Sequence, residues 1–140
     1  MTEDRSCRGA RVLVAEDTPL GRKLIRVRLQ VLGCQADFVE NGRQAVRKVR
    51  ENDYDVVLMD LMMPEMDGLA ATKAIRESGK STLPIIALTA AVRQEDRVKC
   101  REAGLDDFLG KPIDPDRLKE KLTRWMGECH SPALTAEEHK

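Results

Sequence analysis

Cysteine, histidine and aromatic residues are scarce in this sequence, and their scarcity excludes several kinds of site. The 140 residues include 4 cysteines, 2 histidines, one Trp, one Tyr and two Phe. The chain lacks a CxxC pair and any run of Cys and His, so we expect reduced thiols and no zinc site. Both histidines, His130 and His139, lie close to the C-terminus, so histidine catalysis is not expected.

An excess of one charge and long apolar runs are also missing. Lys plus Arg and Asp plus Glu each number 24, so no overall field favours nucleic acid or an anionic membrane as a partner. The apolar runs are far shorter than the ~20 residues that span a bilayer. The polar segment from Met1 to Ala10 is unlike a signal peptide. These features predict a soluble, cytoplasmic protein without direct membrane contact.

The chain does contain a regular alternation of apolar runs and amphipathic stretches. Val12 to Ala15, Val56 to Met59 and Ile85 to Leu88 are almost continuously apolar, which indicates strands of a parallel sheet buried on both faces. Five β/α units are predicted. The helices cover about residues 18–32, 43–52, 66–78, 92–103 and 115–126, and two weaker strands cover about residues 35–39 and 107–109.

The two ends of the chain differ from this block. Residues 1–9 and 128–140 are polar and lack the periodicity of packed elements. We therefore expect a single domain over residues 10–127 with a polar tail at each end. No output domain is expected after the last helix.

The first predicted helix has two apolar faces. Ile25, Leu29 and Leu32 form one face, which is expected to pack on the sheet. The other face lies roughly 120° away at about 100° per residue. It consists of Leu20, Leu24, Val27 and Val31. This second face is either an exposed docking surface or is wedged between the sheet and the last helix.

Polar residues follow the predicted strands at the points where the strands end. Glu16-Asp17, Asp60 and Thr89 follow the three apolar runs, and Lys111 follows the fifth strand. Because parallel strands end at one edge of a sheet, these residues are expected to converge on one pocket. Carboxylates gathered there repel one another by about 4 kcal/mol per close pair at a surface-like dielectric, so a cation is expected. Oxygen ligands without Cys or His indicate Mg²⁺.

This set of side chains favours phosphoryl chemistry. A carboxylate beside Mg²⁺ is a nucleophile toward phosphorus when positive charge neutralises the phosphoryl oxygens. Lys111 adds positive charge and Thr89 adds a hydroxyl donor, so Asp60 is the predicted acceptor. Each residue alone also has a structural explanation, since Asp17 and Thr89 suit helix caps and a Lys-Pro pair suits a loop.

Four segments of the chain carry a family resemblance. They are Val12 to Asp17, Leu58 to Gly68, Ala87 to Ala90 and Gly104 to Pro112. In order and spacing they resemble the receiver (response regulator) domain of two-component signalling. The resemblance implies a flavodoxin-like, doubly wound α/β fold. Its five-stranded parallel sheet would have the order 2-1-3-4-5 and would carry five helices.

The resemblance also implies roles for the carboxylates. Asp60 would accept a phosphoryl group from a phosphohistidine on a sensor histidine kinase or a histidine phosphotransfer protein. Asp17, Asp60 and the Met62 carbonyl would bind Mg²⁺, and Glu16 would act through water. The domain itself would be a phosphoacceptor, whereas a full-length hybrid parent would be a histidine kinase.

Phosphate binding and switching are implied for residues on the fourth and fifth strands. Thr89 and Lys111 would bind the phosphoryl oxygens, and the Lys111-Pro112 peptide bond would be cis. Phe108 stands at the position of the family's switch aromatic, which turns inward as the threonine moves toward the phosphate. A static core aromatic is the alternative for Phe108.

The subfamily is indicated by the residues around the first helix. Thr18 to Arg22 and Lys111 to Ile113 resemble receiver domains of hybrid histidine kinases, although asparagine is commoner at the positions of Thr18 and Gly21. We expect a fragment of a hybrid kinase, with a stand-alone regulator as the alternative. The domain is expected to be a monomer or a weak dimer.

Two rival classes fit less well. An aspartate-nucleophile phosphohydrolase needs a second carboxylate two positions after its nucleophile, but Leu61 and Met62 follow Asp60. A pseudo-receiver that takes no phosphate is disfavoured because all five site residues are present.

Neither Met62 nor Ala91 offers a carboxamide to position an attacking water, so slow self-hydrolysis of the aspartyl phosphate is expected.

Overall fold

Five parallel strands form one sheet in the computed structural model, which describes residues 9–63, 65–90 and 94–126. The strands are β1 (Arg11–Ala15), β2 (Gln35–Val39), β3 (Val56–Asp60), β4 (Ile85–Thr89) and β5 (Asp107–Gly110). The helices are α1 (Pro19–Leu32), α2 (Gly42–Glu51), α3 (Gly68–Glu77), α4 (Gln94–Ala103) and α5 (Pro115–Met126). The strand order is β2-β1-β3-β4-β5, and all neighbours are parallel. The predicted fold class and strand order are therefore confirmed.

Side-chain alternation along the strands builds a core on each face of the sheet. Val12 and Val14 point to the face covered by α1 and α5, where they join Leu118 and Leu122. Leu13 and Ala15 point to the other face, which is covered by α2, α3 and α4. A strand that is buried on both faces has apolar residues at almost every position, which explains why β1, β3 and β4 could be predicted from the sequence.

Capping side chains fix the starts of three helices close to the predicted positions. Thr18 accepts a hydrogen bond from Gly21 N at the start of α1, and Asn41 accepts one from Gln44 N at the start of α2. Asp67 does the same for α3, which therefore begins at Gly68 rather than at residue 66. The start of α4 near residue 92 lies outside the described residues.

A close approach at Gly68 shapes the loop that follows β3. A Cβ atom at this position would lie 2.5 Å from the carbonyl oxygen of Asp60. Gly68 N also donates a hydrogen bond of 3.2 Å to Leu61 O. The start of α3 is thereby held against the end of β3, where the site residues lie, and only glycine fits there.

The second apolar face of α1 is exposed, and we call it the apolar stripe (Leu20, Leu24, Val27 and Val31). Its residues are 44% to 66% accessible, whereas Ile25, Leu29 and Leu32 on the opposite face are at most 5% accessible. The alternative in which this stripe is wedged between the sheet and the last helix is therefore wrong. No helix within the described ranges is long and apolar enough to cross a membrane.

Candidate functional site

The carboxyl ends of β1, β3 and β5 bring three carboxylates and one ammonium group together. Glu16, Asp17 and Asp60 each offer an oxygen, and these oxygens lie within 4.8 Å of one another. Lys111 Nζ lies 3.0 Å from Glu16 Oε1 and 3.1 Å from Asp60 Oδ2. With all groups ionised, three negative charges and one positive charge leave a net charge of about −2 at this edge of the sheet.

Asp60 is the most constrained of these carboxylates. It is the last residue of β3 and is 2% accessible. Its Oδ1 accepts a 3.0 Å hydrogen bond from Met62 N, and its Oδ2 accepts one from Lys111 Nζ. Burial and the charge of Glu16 raise the pKa of Asp60 above its ordinary value, and the two hydrogen bonds offset only part of this rise.

Glu16 is equally buried but has a different electrostatic balance. It is 1% accessible, and its Oε2 accepts hydrogen bonds of 2.7 Å from the Thr18 hydroxyl and 3.2 Å from Thr18 N. Burial alone raises the pKa of Glu16, but Thr18 and Lys111 outweigh it, so its pKa is below the ordinary value. The pKa of Glu16 is therefore shifted in the direction opposite to that of Asp60.

One oxygen of Glu16 lacks a directed hydrogen bond. Oε1 is buried and accepts no hydrogen bond from any described residue, although Lys111 Nζ lies 3.0 Å away as an ion-pair partner. A carboxylate oxygen accepts more than one donor, so Oε1 can accept a water bound to a cation in addition to its contact with Lys111. The net charge and the oxygen donors both fit a hard divalent ion such as Mg²⁺.

Lys111 links the two buried carboxylates. It follows β5, and its backbone N donates a 2.9 Å hydrogen bond to Thr89 O at the end of β4. Burial lowers the pKa of Lys111, but Glu16 and Asp60 raise it further, so the side chain stays protonated. The Lys111-Pro112 bond is cis, as the resemblance implied.

Thr18, Gly21 and Arg22 form part of the site, which sequence reasoning did not detect. The Thr18 hydroxyl both donates to Glu16 and accepts from Gly21 N, so the cap of α1 also positions an acid. A Cβ atom on Gly21 would lie 2.8 Å from Glu16 Cδ, and Arg22 Nη1 donates a 2.9 Å hydrogen bond to Glu16 O. Thr18 and Gly21 thus replace the commoner asparagines as one packed unit. The sequence feature that could have revealed this role is the position of Thr18 at the start of the predicted helix, which is typical of a helix cap.

The remaining predicted residues lie at or near the same edge. Thr89 ends β4 and is paired in register with Gly110. Phe108 lies on β5, is half-buried beside the core under α2 to α4, and has the Arg97 guanidinium carbon 5.5 Å from its ring centroid. Met62 contributes its amide to Asp60, while 79% of the residue's surface is accessible. Ala91 lies outside the described residues.

A family model for the response regulator receiver domain matches residues 12–123. This range includes every strand except the first residue of β1, every site residue and most of α5. The chain belongs to the response regulator receiver domain family. As a receiver domain, it has solved relatives of the same fold and curated relatives that are much longer.

Two curated relatives are sensor kinases. The receiver domain is 40% identical over 126 residues to the sensor protein GacS of Pseudomonas syringae pv. syringae, a match that covers 87% of this chain and 14% of GacS. It is 39% identical over 112 residues to the sensor histidine kinase RcsC of Escherichia coli (strain K12), covering 80% of this chain and 12% of RcsC. The chain therefore spans about one-seventh or less of these relatives.

Solved structures show the same domain in two informative settings. One is the receiver domain of sensor histidine kinase PA1611 from Pseudomonas aeruginosa PAO1, with magnesium coordinated in its active-site cleft. It is 41% identical, has a TM-score of 0.80, and the match covers 85% of this chain and 98% of that one. The other is the Ssk1 receiver domain in complex with the histidine phosphotransfer protein Ypd1 of Saccharomyces cerevisiae. That match has 28% identity, a TM-score of 0.81, and covers 89% of this chain and 92% of that one.

A cavity opens beside the acidic residues of this receiver domain. Its volume is about 460 Å³, and it lies between α1 and the segment that follows β5. Its apolar wall includes Leu20, Leu24 and Ile113, and its polar wall includes Arg28 and Lys111. The cavity therefore connects the apolar stripe of α1 to Glu16 and Lys111 of the acidic site.

Proposed function

We propose that Asp60 is the phosphoacceptor of this receiver domain and takes its phosphoryl group from a phosphohistidine on a sensor kinase or phosphotransfer protein. The observation that carries the proposal is the buried Asp60 carboxylate, bonded to Lys111 Nζ at 3.1 Å and grouped with Glu16 and Asp17. No second carboxylate lies two positions after Asp60, where a hydrolase of this class needs its acid/base, since that position is Met62.

Mg²⁺ is the proposed cofactor. Asp17, Asp60 and the Met62 carbonyl would hold it directly, and Glu16 would hold it through water. The net charge of about −2, the buried Oε1 of Glu16 and the oxygen-only donors support this set. A relative with magnesium in its cleft supports it as well. When bound, Mg²⁺ neutralises charge on the phosphoryl oxygens.

The proposed transfer step uses the side chains of Asp60, Lys111 and Thr89. An Asp60 carboxylate oxygen attacks phosphorus, an O–P bond forms, and the P–N bond to the partner's imidazole breaks. The electron pair of that bond stays on the imidazole nitrogen, which takes up a proton. Lys111 Nζ then bonds a phosphoryl oxygen in place of a carboxylate oxygen, and the Thr89 hydroxyl donates to another.

The proposed switch couples this step to the face formed by α4 and β5. Thr89 would move toward the phosphate, and Phe108 would turn into the space that becomes available. Phe108 supports this role because its ring is only half-buried and contacts the Arg97 side chain, so it is not enclosed in the core. Met62 offers no carboxamide to orient water, so the aspartyl phosphate is expected to hydrolyse slowly.

The surroundings of the domain are also proposed. Residues 10–127 are the receiver domain, and residues 1–9 and 128–140 are linkers within a cytoplasmic hybrid histidine kinase. The hybrid-kinase relatives support this arrangement. The domain acts as a monomer or a weak dimer, and a stand-alone regulator is the alternative to a hybrid kinase.

The apolar stripe of α1 is the proposed docking surface for the helical bundle that carries the phosphohistidine.

Phosphorylation of Asp60 is tested with acetyl phosphate and Mg²⁺, followed by intact-protein mass measurement. The protein is expected to gain one phosphoryl mass, and Asp60→Asn and EDTA are each expected to prevent the gain. Asp116→Asn, which changes an exposed acid in the first turn of α5, is the matched control. A full adduct on Asp60→Asn contradicts the assignment.

The role of Lys111 is tested separately. Lys111→Ala is expected to keep Mg²⁺ binding, measured by titration, because the lysine is not among the proposed ligands. It is expected to lose the phosphorylation-dependent change in the NMR spectrum around Phe108. Lys99→Ala, at an exposed position of α4, is the control. An unchanged phosphorylation response in Lys111→Ala contradicts this role.

The docking role of α1 is tested by Leu24→Glu. This change places a charge in the apolar stripe, so transfer from a phosphohistidine donor identified by profiling candidate kinases is expected to slow. Phosphorylation by acetyl phosphate is expected to stay unchanged. Val98→Glu is the matched control, because Val98 is 52% accessible on α4, across the sheet from α1. Equal slowing by both variants contradicts the role of the stripe.

A further inference from the structure

The apolar stripe of α1 is bordered by basic side chains on both sides. The helix carries Arg22, Lys23, Arg26 and Arg28 and has no acidic residue. At about 100° per residue, Lys23 and Arg28 project roughly 70° to either side of the middle of the stripe. A partner that covers the stripe therefore meets a positive charge along each border.

Two of these four cations, Lys23 and Arg28, border the stripe and have no partner within the described residues. Arg22 bonds Glu16 O at 2.9 Å and lies 3.8 Å from Glu40, and the Arg26 guanidinium lies 4.4 Å from the ring centroid of Phe38. Lys23 and Arg28 are exposed, and neither pairs with an acid within the described ranges. Their charge is therefore not compensated on the surface of the domain itself.

The shape of the surface limits what covers it. From Leu20 to Val31 the stripe is about 16 Å long at roughly 1.5 Å per residue, which is the length of three helical turns. The cavity of about 460 Å³ at one end is deep enough for an apolar side chain and has Arg28 in its wall. A convex helix of this length fits the groove between two helices of a bundle.

Given the docking of α1 on the phosphohistidine-bearing bundle, we propose that the groove of the bundle that receives α1 has acidic side chains along both of its borders. One border faces Lys23 and the other faces Arg28, while apolar side chains on the floor cover the stripe. This inference rests on the proposed function and adds the chemistry of the partner. Bundles with basic borders are rejected because like charges would be brought together.

The test uses a designed four-helix bundle with a leucine-lined groove, made in three versions whose border residues are Glu, Gln or Lys. Dissociation constants with the receiver domain are measured by titration at low salt. Two exposed ion pairs are expected to make the Glu version bind about fivefold tighter than the Gln version. The difference is expected to shrink in ~1 M salt, where the Debye length is about 3 Å. The Lys version is expected to bind weakest.

The charge-reversed variant Lys23→Glu/Arg28→Glu is expected to invert this order, so that the Lys version binds tightest. Arg47→Glu/Arg50→Glu changes the net charge equally on α2, across the sheet, and is expected to leave the order unchanged. Circular dichroism checks that both variants fold. If the charge reversal unfolds the domain, Lys23→Gln/Arg28→Gln replaces it, and this variant is expected to bind the three versions of the bundle with equal affinity. Equal binding of the three versions, binding of none, or an order that survives the reversal overturns the proposal. Phosphorylation by acetyl phosphate is independent of all these results.

Discussion

Asp107 is expected to be one of the most important side chains for the stability of this receiver domain, although it lies outside the acidic site formed by Glu16, Asp17, Asp60 and Lys111. Its side chain is 13% accessible and joins β5 to α5. Oδ1 accepts hydrogen bonds of 2.8 Å from Lys121 Nζ and from Phe108 N, and Oδ2 accepts one of 2.8 Å from Trp125 Nε1. Replacing this carboxylate therefore disturbs three donors at once.

The variant Asp107→Asn isolates the effect of the charge. Asparagine has the same shape, but its amide nitrogen cannot accept the hydrogen bond from Trp125, and its oxygen bonds Lys121 without charge. A hydrogen bond to a charged group contributes roughly 1.5–3 kcal/mol, and an unsatisfied buried donor costs about 1–3 kcal/mol. We expect the free energy of unfolding to fall by about 2–3 kcal/mol, a large share of the 5–15 kcal/mol typical of a domain.

Urea unfolding followed by circular dichroism measures this loss. Asp116→Asn removes an exposed acid from α5, the helix that Asp107 contacts, and is expected to change the free energy of unfolding by less than about 0.5 kcal/mol. Trp125→Phe combined with Asp107→Asn is expected to cost less than the sum of the two single changes, because they remove one shared hydrogen bond. A loss below about 0.5 kcal/mol in Asp107→Asn, or full additivity of the pair, refutes the reasoning.

Acid should abolish the contribution of Asp107. Burial alone raises the pKa of Asp107, but the hydrogen bonds from Lys121, Trp125 and Phe108 lower it below the ordinary value of 3.8. A carboxyl group with a depressed pKa stabilises the fold fully above its unfolded pKa and loses that effect as pH falls through the folded pKa. The stability difference between wild type and Asp107→Asn is therefore expected to shrink below pH 3.8 and to stay constant near neutrality.

Three further changes are expected to destabilise the domain in the same urea assay. Thr18→Ala removes the cap of α1 and a donor to Glu16, so a loss of about 2 kcal/mol is expected, and Thr18→Ser is expected to restore most of it. Arg76→Met removes the guanidinium that bonds Gly104 O, Lys80 O, Leu83 O and Asp106, so the free energy of unfolding is expected to fall by about 3 kcal/mol. The control Arg101→Met is expected to change it little. Gly68→Ala forces a Cβ atom toward Asp60 O, so a loss above about 1 kcal/mol is expected. A neutral result in any of the three contradicts the contact named for it.

The sheet and the convergence at its edge were predictable because both follow from short stretches of sequence. A parallel strand buried on two faces leaves an unbroken apolar run, as in Val56 to Met59, and needs no knowledge of its neighbours. The chain direction then places Glu16, Asp60 and Lys111 at one edge whatever the details of packing. Strand order, by contrast, came from the family resemblance, since apolar runs alone do not specify which strands pair.

Contacts between residues distant in the sequence were not predictable. Asp107 meets Trp125, 18 residues away, and Arg76 meets Gly104, 28 residues away. Nothing in the local pattern around Arg76, whose side chain is 17% accessible, distinguishes it from the exposed cations of the chain. Its partners are backbone carbonyls, which every residue carries. Such contacts depend on how helices seat on the sheet, and that depends on the whole core.

Thr18 makes the first turn of α1 a link between partner binding and the acidic pocket. Its hydroxyl caps the helix and also holds Glu16 Oε2 at 2.7 Å, while the apolar stripe begins two residues later at Leu20. The cavity that Leu20 and Leu24 line reaches Lys111, which forms ion pairs with Glu16 and Asp60. A bundle docked on the stripe would therefore cover the pocket without disturbing the sheet. The donor histidine would then reach Asp60 from the side where Lys111 already lies. Under the proposed function, this approach brings a large protein partner to the edge of the sheet where Asp60, which is only 2% accessible, lies.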